Sequence, residues 1–164
     1  MGSVMPQEPD GPSDVRALYQ DVILDHSRHP RHGRRLATFD ATASGDNPMC
    51  GDRVHLWVKY AADETIAGVG FEARGCAISI ASADLMAETV IGRSRHDARA
   101  LFDAFRVLAR SGECPHCDAS LTEPLERLAP LSGVHDYPSR VKCATLPWHA
   151  LQAALDGTKE ATSE

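Results

Sequence analysis

The residues best equipped for chemistry stand at Asn47-Pro48-Met49-Cys50-Gly51-Asp52, where a thiol and a carboxylate lie two positions apart between a turn signal and a strand. In an extended segment such residues point to one side, so Cys50 and Asp52 can reach one ion, and Gly51 lets the backbone come close to it. Two more cysteines have comparable settings. Cys76 follows Gly75 where a strand pattern hands over to a helix, and Cys143 follows Lys142 near the start of the last helical pattern. Three thiolates and one carboxylate complete a tetrahedral zinc shell or hold an iron-sulfur cluster. A free cysteine is only about 3% thiolate at pH 7, whereas a zinc-bound one is deprotonated outright, so zinc would keep a nucleophile ready without oxidising it.

The rest of the chain must position these donors. The apolar residues Val15, Leu18, Tyr19, Val22 and Ile23 follow helical spacing from Asp14, a plausible N-cap, to near His29-Pro30. The tract His26, His29, His32 with Arg28, Arg31, Arg34 and Arg35 has metal-binding residue types and could form a docking surface, but cations at a helix C-terminus also simply suit its dipole. Thr38 to Ala43 is a faint strand. Val54, Leu56 and Val58 alternate with His55, Trp57 and Lys59, and Ile66 to Ala73 repeats the alternation after an Asp63-Glu64 turn, which together fit three antiparallel strands.

From Cys76 the period changes to a helix through Ile78, Ala81, Leu85, Met86 and Val90, closed by Gly92. A helix N-terminus favours a thiolate at Cys76, although a lone cysteine there is equally a small buried hydrophobe. A second helix follows from Ser94 with Asp97 three residues on and Ala98, Leu101, Phe102, Phe105 and Leu108 on one face, and a shorter one runs from Ser120 to about Leu131. Val141, Ala144, Trp148, Leu151 and Leu155 keep helical spacing to Gly157. Pro147 within that run predicts a kink or a helix start, with Cys143 on the turn before it.

The 164 residues with 43% apolar content suit one core. Residues 1–13, rich in proline and glycine, read as a disordered tail, 14–157 as a single domain and 158–164 as a second tail. A net charge of -6 gives no reason to expect nucleic acid or an anionic membrane as partner. No run of about 18 apolar residues appears and Met1 to Pro12 lacks the apolar segment of a signal peptide, so a cytoplasmic location is expected. Five cysteines, an odd number, then favour metal or redox chemistry over a disulfide framework.

Four blocks carry a family resemblance: Leu18-Tyr19-Gln20-Asp21-Val22-Ile23-Leu24-Asp25-His26, Asn47 to Asp52, Gly75-Cys76-Ala77-Ile78-Ser79 and Arg140-Val141-Lys142-Cys143-Ala144-Thr145-Leu146. They resemble the signature blocks of the IscU-like (NifU N-terminal domain) family of iron-sulfur cluster assembly proteins, over about Asp14 to Leu155. Two details resemble the SufU branch: Lys142 stands where scaffolds carry a histidine, and the spacer from Cys76 to Cys143 is long. The resemblance implies an α+β fold with a three-stranded antiparallel sheet covered by helices. It also implies zinc held by Cys50, Asp52, Cys76 and Cys143, and a SufS-type cysteine desulfurase as partner, with downstream iron-sulfur assembly proteins beyond it.

A lysine ammonium has no free lone pair, so Lys142 is a poor ligand, though close to the metal it would offset the negative charge of three thiolates and a carboxylate. A solvated surface lysine is the plainer reading. A persulfide on the desulfurase can be attacked at its outer sulfur by one of the thiolates, in the manner of thiol exchange. Cys50 is the expected acceptor, since its turn should be the most exposed and the SufU resemblance points the same way. The expected function is therefore a sulfurtransferase-like persulfide acceptor and desulfurase activator, the alternative being a scaffold on which a [2Fe-2S] cluster is assembled, with a bare zinc-binding interaction module as the third reading. Cys114-Pro115-His116-Cys117 departs from the family pattern. It is similar to the tetrapeptide of disulfide oxidases but follows a helix, and it lacks the second pair of a zinc ribbon, which leaves exposed thiols, a reversible disulfide and an auxiliary metal or sulfur relay as its readings.

Overall fold

The computed structural model describes residues 12–162. The expected N-terminal tail lies outside them except for Pro12 and Ser13, which already belong to the first helix. In chain order the elements are α1 (Pro12–Arg28), β1 (Ala41–Asn47), β2 (Asp52–Tyr60), β3 (Ile66–Arg74), α2 (Ala77–Val90), α3 (Arg95–Ser111), α4 (Thr122–Leu128), α5 (Pro138–Leu155) and β4 (Glu160–Thr162). Asp14, the expected N-cap position, lies inside α1, which begins at Pro12. The helix expected from Ser120 to Leu131 is divided: a 3-10 turn at Ala119–Leu121 leads into α4, and a 3-10 segment continues over Ala129–Asp136. Pro130 and Gly133 within that segment disfavour a regular α-helix.

The fold is α+β as expected, but the sheet has four strands in the order β3-β2-β1-β4. The three expected strands form its antiparallel part, with β1 on β2 and β2 on β3. The fourth comes from the segment expected to be a tail: Glu160 to Thr162 runs parallel to β1 opposite Ser44 to Asp46. A three-residue strand is too short to show a period, and it forms because β1 offers an open edge as the chain leaves α5.

Val54, Leu56, Val58, Ile66, Val69 and Phe71 are buried on this sheet, against which α5 packs across β1 and β2 and α2 packs on β3. Helix α2 is buried along most of its length, which fits its small and apolar sequence, while amphipathic α3 buries Leu101, Phe102, Phe105 and Leu108 on the far side of α5. Trp148 is fully buried there, stacked on Phe105 at 4.9 Å and Phe102 at 5.8 Å between ring centroids. Ser94 caps α3 by accepting from the Asp97 N–H at 3.0 Å, and Gly112 ends it in the left-handed conformation at φ 83°.

The strict in-out alternation expected of β2 fails at Trp57, which is only 5% exposed. The segment between α1 and β1 covers it: Arg35 lies 5.5 Å from its ring centroid, and the His32 carbonyl accepts from Phe71 N–H. Gly70 permits this crossing, because a Cβ there would stand 2.2 Å from the Arg34 carbonyl oxygen.

Candidate metal centre

Four structural elements meet at the end of the sheet. Asn47 and Asp52 are paired across the β1–β2 hairpin, and the intervening turn is closed by Gly51 N–H to the Asn47 carbonyl at 2.8 Å. Gly51 has φ 75°, which a non-glycine residue rarely adopts. Cys50 therefore sits on a turn and not in an extended run. It still shares a site with Asp52, but the hairpin bend brings the two together, not the alternation of a strand.

Asp52 continues the inward row of Val54 and Leu56, so a carboxylate that is 2% exposed ends a line of core side chains. Burial alone would make that charge costly. The structure meets the cost with donors at the start of α2, where Cys76 is the N-cap residue. Cys76 N–H donates to Asp52 Oδ1 at 3.1 Å and the Ser79 hydroxyl to Oδ2 at 3.1 Å, so Asp52 caps a helix whose own N-cap side chain does not. Burial pushes the Asp52 pKa up, but hydrogen bonds from the Cys143 and Cys50 thiols, the Cys76 N–H and Ser79 outweigh it and hold the carboxyl below its ordinary value. Gly75 makes room for it: a Cβ at that position would stand 2.0 Å from Asp52 Oδ1.

Cys143 enters from α5. The helix begins at Pro138 and continues through Pro147, so Cys143 lies within it and not on a preceding turn. Proline at the first helical position is favourable, whereas Pro147 removes the helical donor to the Cys143 carbonyl and crowds that carbonyl with its ring. Cys50, Asp52 and Cys143 each offer a donor atom within 4.8 Å of the others, and the two sulfurs are 3.9 Å apart. Cys76 joins through Asp52, its Sγ 3.5 Å from Oδ2 and 3.5 Å from the Ser79 hydroxyl. The thiols differ in access: Cys50 is exposed, Cys76 half-buried and Cys143 buried.

This donor set fits a soft divalent cation. Burial pushes the Cys143 thiol far above its ordinary range, with Asp52 and Cys76 adding to the rise, so a buried thiol and a buried carboxylate compete for one small space. A cation that accepts three thiolates and a carboxylate relieves that competition, and zinc matches these ligand types.

The other sequence candidates lie elsewhere. Lys142 lines a groove on a different side of α5, and among the described residues no hydrogen bond or ion pair joins it to the four donors. Cys114 and Cys117 are joined as a disulfide with Cα atoms 5.5 Å apart, partly buried against the core beyond α3. Replacing both by serine is expected to leave zinc content unchanged and sulfur acceptance within about threefold of the parent; a loss beyond about tenfold, roughly 1.4 kcal/mol of barrier, would put them in the relay. His26 is a strut: its Nδ1 lies 2.5 Å from Asp84, whose other oxygen accepts from His32 N–H at 2.9 Å, so the end of α1 is fastened to buried α2. His26, Asp84 and Glu88 also bring donors within 4.8 Å of one another, with both Asp84 oxygens already engaged in that strut.

Ser79 and Gly75 are site residues that a reading of cysteines and carboxylates passes over. Their signal is position: Gly75 immediately precedes Cys76, and Ser79 stands one helical turn after it.

The chain is similar to known proteins over most of its length. An iron-sulfur cluster assembly scaffold protein IscU from Streptococcus pyogenes serotype M1 is 38% identical over 87% of this chain and 86% of its own. The zinc-dependent sulfurtransferase SufU of Bacillus subtilis strain 168 is 34% identical over 87% of this chain and 92% of its own. A crystal structure of a candidate iron-sulfur cluster assembly scaffold for the SUF system, from Fervidobacterium islandicum AW-1, superposes with a TM-score of 0.72 at 31% identity, covering 85% of this chain and 98% of that one. Residues 18–144 match the NifU-like N terminal domain, a span that holds Cys50, Asp52, Cys76 and Cys143, and the chain belongs to that family.

Proposed function

We propose that this protein serves iron-sulfur cluster assembly as a zinc-dependent sulfur-transfer partner, accepting persulfide sulfur from a cysteine desulfurase and stimulating it. The observation that carries this reading is the unequal access to converging thiols: Cys50 faces solvent while Cys143 is buried beside it. A site of this kind presents one sulfur to another protein and keeps the others as anchors. The name of the Bacillus relative points the same way.

Zinc, held by Cys50, Asp52, Cys76 and Cys143, would supply deprotonated thiols without redox activity of its own. The chain's residues do the rest. Asp52 is fixed by Cys76 N–H and Ser79, and the Gly51 turn carries Cys50 outward. The Cys50 thiolate attacks the outer sulfur of the desulfurase persulfide. One sulfur-sulfur bond forms at Cys50, the one in the desulfurase breaks, and the desulfurase cysteine departs as a thiolate, so atoms and electrons balance. The partner proposed is a SufS-type enzyme in the cytoplasm, with downstream iron-sulfur assembly proteins taking the sulfur onward.

A second reading, a scaffold that assembles a [2Fe-2S] cluster on the same cysteines, is favoured by the name of the Streptococcus relative. Colour and metal content of fresh protein separate the two at first sight. The proposal expects a colourless protein with about one zinc per chain. Because the ligands come from the β1–β2 turn, α2 and α5, stripping the metal should lower the melting temperature by more than ~5 °C, as roughly 1 kcal/mol corresponds to 2–4 °C at this size. Zinc found mainly on Cys114 and Cys117, or a chelator that removes it with no change in melting, would overturn the assignment.

A further inference from the structure

The spacer between the second and third cysteines builds a feature of its own. Helix α3 and the 3-10 segment Ala129–Asp136 pack on α5, and a groove of about 330 Å³ opens between them. Arg106 and Arg110 line it from α3, His135 from the 3-10 segment, and Lys142 and His149 from α5. The pattern is set in the sequence: Arg106 and Arg110 are four residues apart on one helix face, and Lys142, Thr145 and His149 follow at helical spacing on another.

Among the described residues no carboxylate lines the groove, in a chain with 23 acidic residues against 17 lysines and arginines. Among the described residues Arg106, Arg110 and Lys142 make no ion pair, as is true of most lysines and arginines of the chain, but here three of them line one groove. Of the five, only His135 touches a carboxylate, Asp136 at 3.2 Å. The positive charge is therefore concentrated and uncompensated. His149 registers it: burial, then the charges of Arg106 and Arg110, push its pKa down. Arg106 is also held in place, 5.5 Å from the Phe102 ring centroid, with Phe102 set edge-on against His149 at 5.0 Å. Like charges placed side by side on two helices weigh against folding, and they persist where a partner of opposite sign completes them.

We infer that this groove docks an acidic segment of a partner protein, whose clustered Asp or Glu carboxylates meet Arg106, Arg110 and Lys142 beside α5. Its volume is at the lower end for small-molecule pockets and suits a few side chains from an extended segment. A partner held there grips α5 next to Cys143 without touching the metal ligands. The inference does not depend on what the metal centre does.

The test uses the full zinc-loaded chain and a fluorescein-labelled hexaglutamate peptide, followed by fluorescence anisotropy at about 50 and about 200 mM salt. Saturable binding that weakens with salt is expected. Arg106→Glu with Arg110→Glu should weaken it at least about tenfold, while Arg16→Glu with Arg28→Glu on exposed positions of α1, the same change in net charge, should alter it less than about twofold. Arg106→Gln with Arg110→Gln, which keeps side-chain bulk, should weaken it by about threefold or more and serves if the double glutamate chain fails to fold. Amide shifts on adding peptide should cluster at residues 106–110 and 138–149. No saturable binding, an equal loss in the α1 variant, or shifts clustered elsewhere would overturn the inference. Displacement of the peptide by an equal concentration of inorganic phosphate would overturn it too, marking a small-anion pocket.

Discussion

Cys50→Ala should remove stimulation of a cognate cysteine desulfurase almost entirely, by at least ~100-fold or about 2.7 kcal/mol in barrier terms. Exchange between two proteins requires the attacking sulfur to reach a persulfide on a foreign surface in line with its sulfur-sulfur bond. Cys143 is 3% exposed, its sulfur behind that of Cys50 at 3.9 Å, and Cys76 is turned toward Asp52 and Ser79. Only Cys50 offers its sulfur at the surface, on a turn where Met49 is 78% exposed beside it. The alanine variant should keep the fold, because the turn is closed by backbone bonds to Asn47 that do not involve the thiol. The measurement is sulfide release by the desulfurase with cysteine and the variant, and intact mass of the variant for one added sulfur atom. A folded Cys50→Ala protein that still gains that sulfur would transfer the acceptor role to Cys76 or Cys143.

The site was legible in the sequence to the extent that its donors carry their own chemistry. Cys50, Asp52, Cys76 and Cys143 announce themselves because thiols and an adjacent carboxylate have few bland uses in such spacing, and three of the four converge within 4.8 Å while the fourth, Cys76, lies against Asp52. The way they converge was less legible. Strand alternation was expected to align Cys50 with Asp52, but hairpin closure at Asn47 and a left-handed Gly51 do it. Helix and strand periods placed β2, β3, α2 and α3 because their apolar residues recur at regular spacing, whereas β4 is three residues long and exists only by pairing with β1. Pro147 misled for a related reason. A proline in a helical pattern predicts a boundary from local rules, and tertiary burial of Cys143, Leu146, Trp148 and Leu151 carries α5 straight through it. Lys142 shows the limit of adjacency: one residue along a helix is about 100° of rotation, enough to send the ammonium to a groove shared with Arg106 and Arg110 while Cys143 faces the metal site.

Asp52→Ala should yield a colourless, zinc-poor protein that stimulates the desulfurase weakly, and this variant divides the two readings of function most sharply. In the sulfur-transfer reading Asp52 is the ligand that anchors the metal, and it also caps α2 through Cys76 N–H and Ser79. Removing it takes away one donor to the cation and leaves the Cys76 N–H at the helix start without its acceptor, at a cost of about 1–3 kcal/mol, while the Ser79 hydroxyl keeps the Cys76 carbonyl. With one ligand fewer the site holds its cation less tightly, so zinc retention falls, and with it the supply of Cys50 as thiolate. In the scaffold reading the carboxylate instead helps a cluster to leave, and its removal should trap a coloured, longer-lived [2Fe-2S] species. The variant is purified without oxygen, its visible spectrum and zinc content are recorded, and it is mixed with desulfurase and cysteine. Asp52→Asn provides the control for capping, since its amide oxygen can still accept from Cys76 N–H while binding a cation more weakly. A zinc-poor but normally melting asparagine variant would assign the loss to the metal and not to the helix cap. A stable brown Asp52→Ala protein with intact persulfide acceptance would replace sulfur transfer by scaffolding as the function of this site.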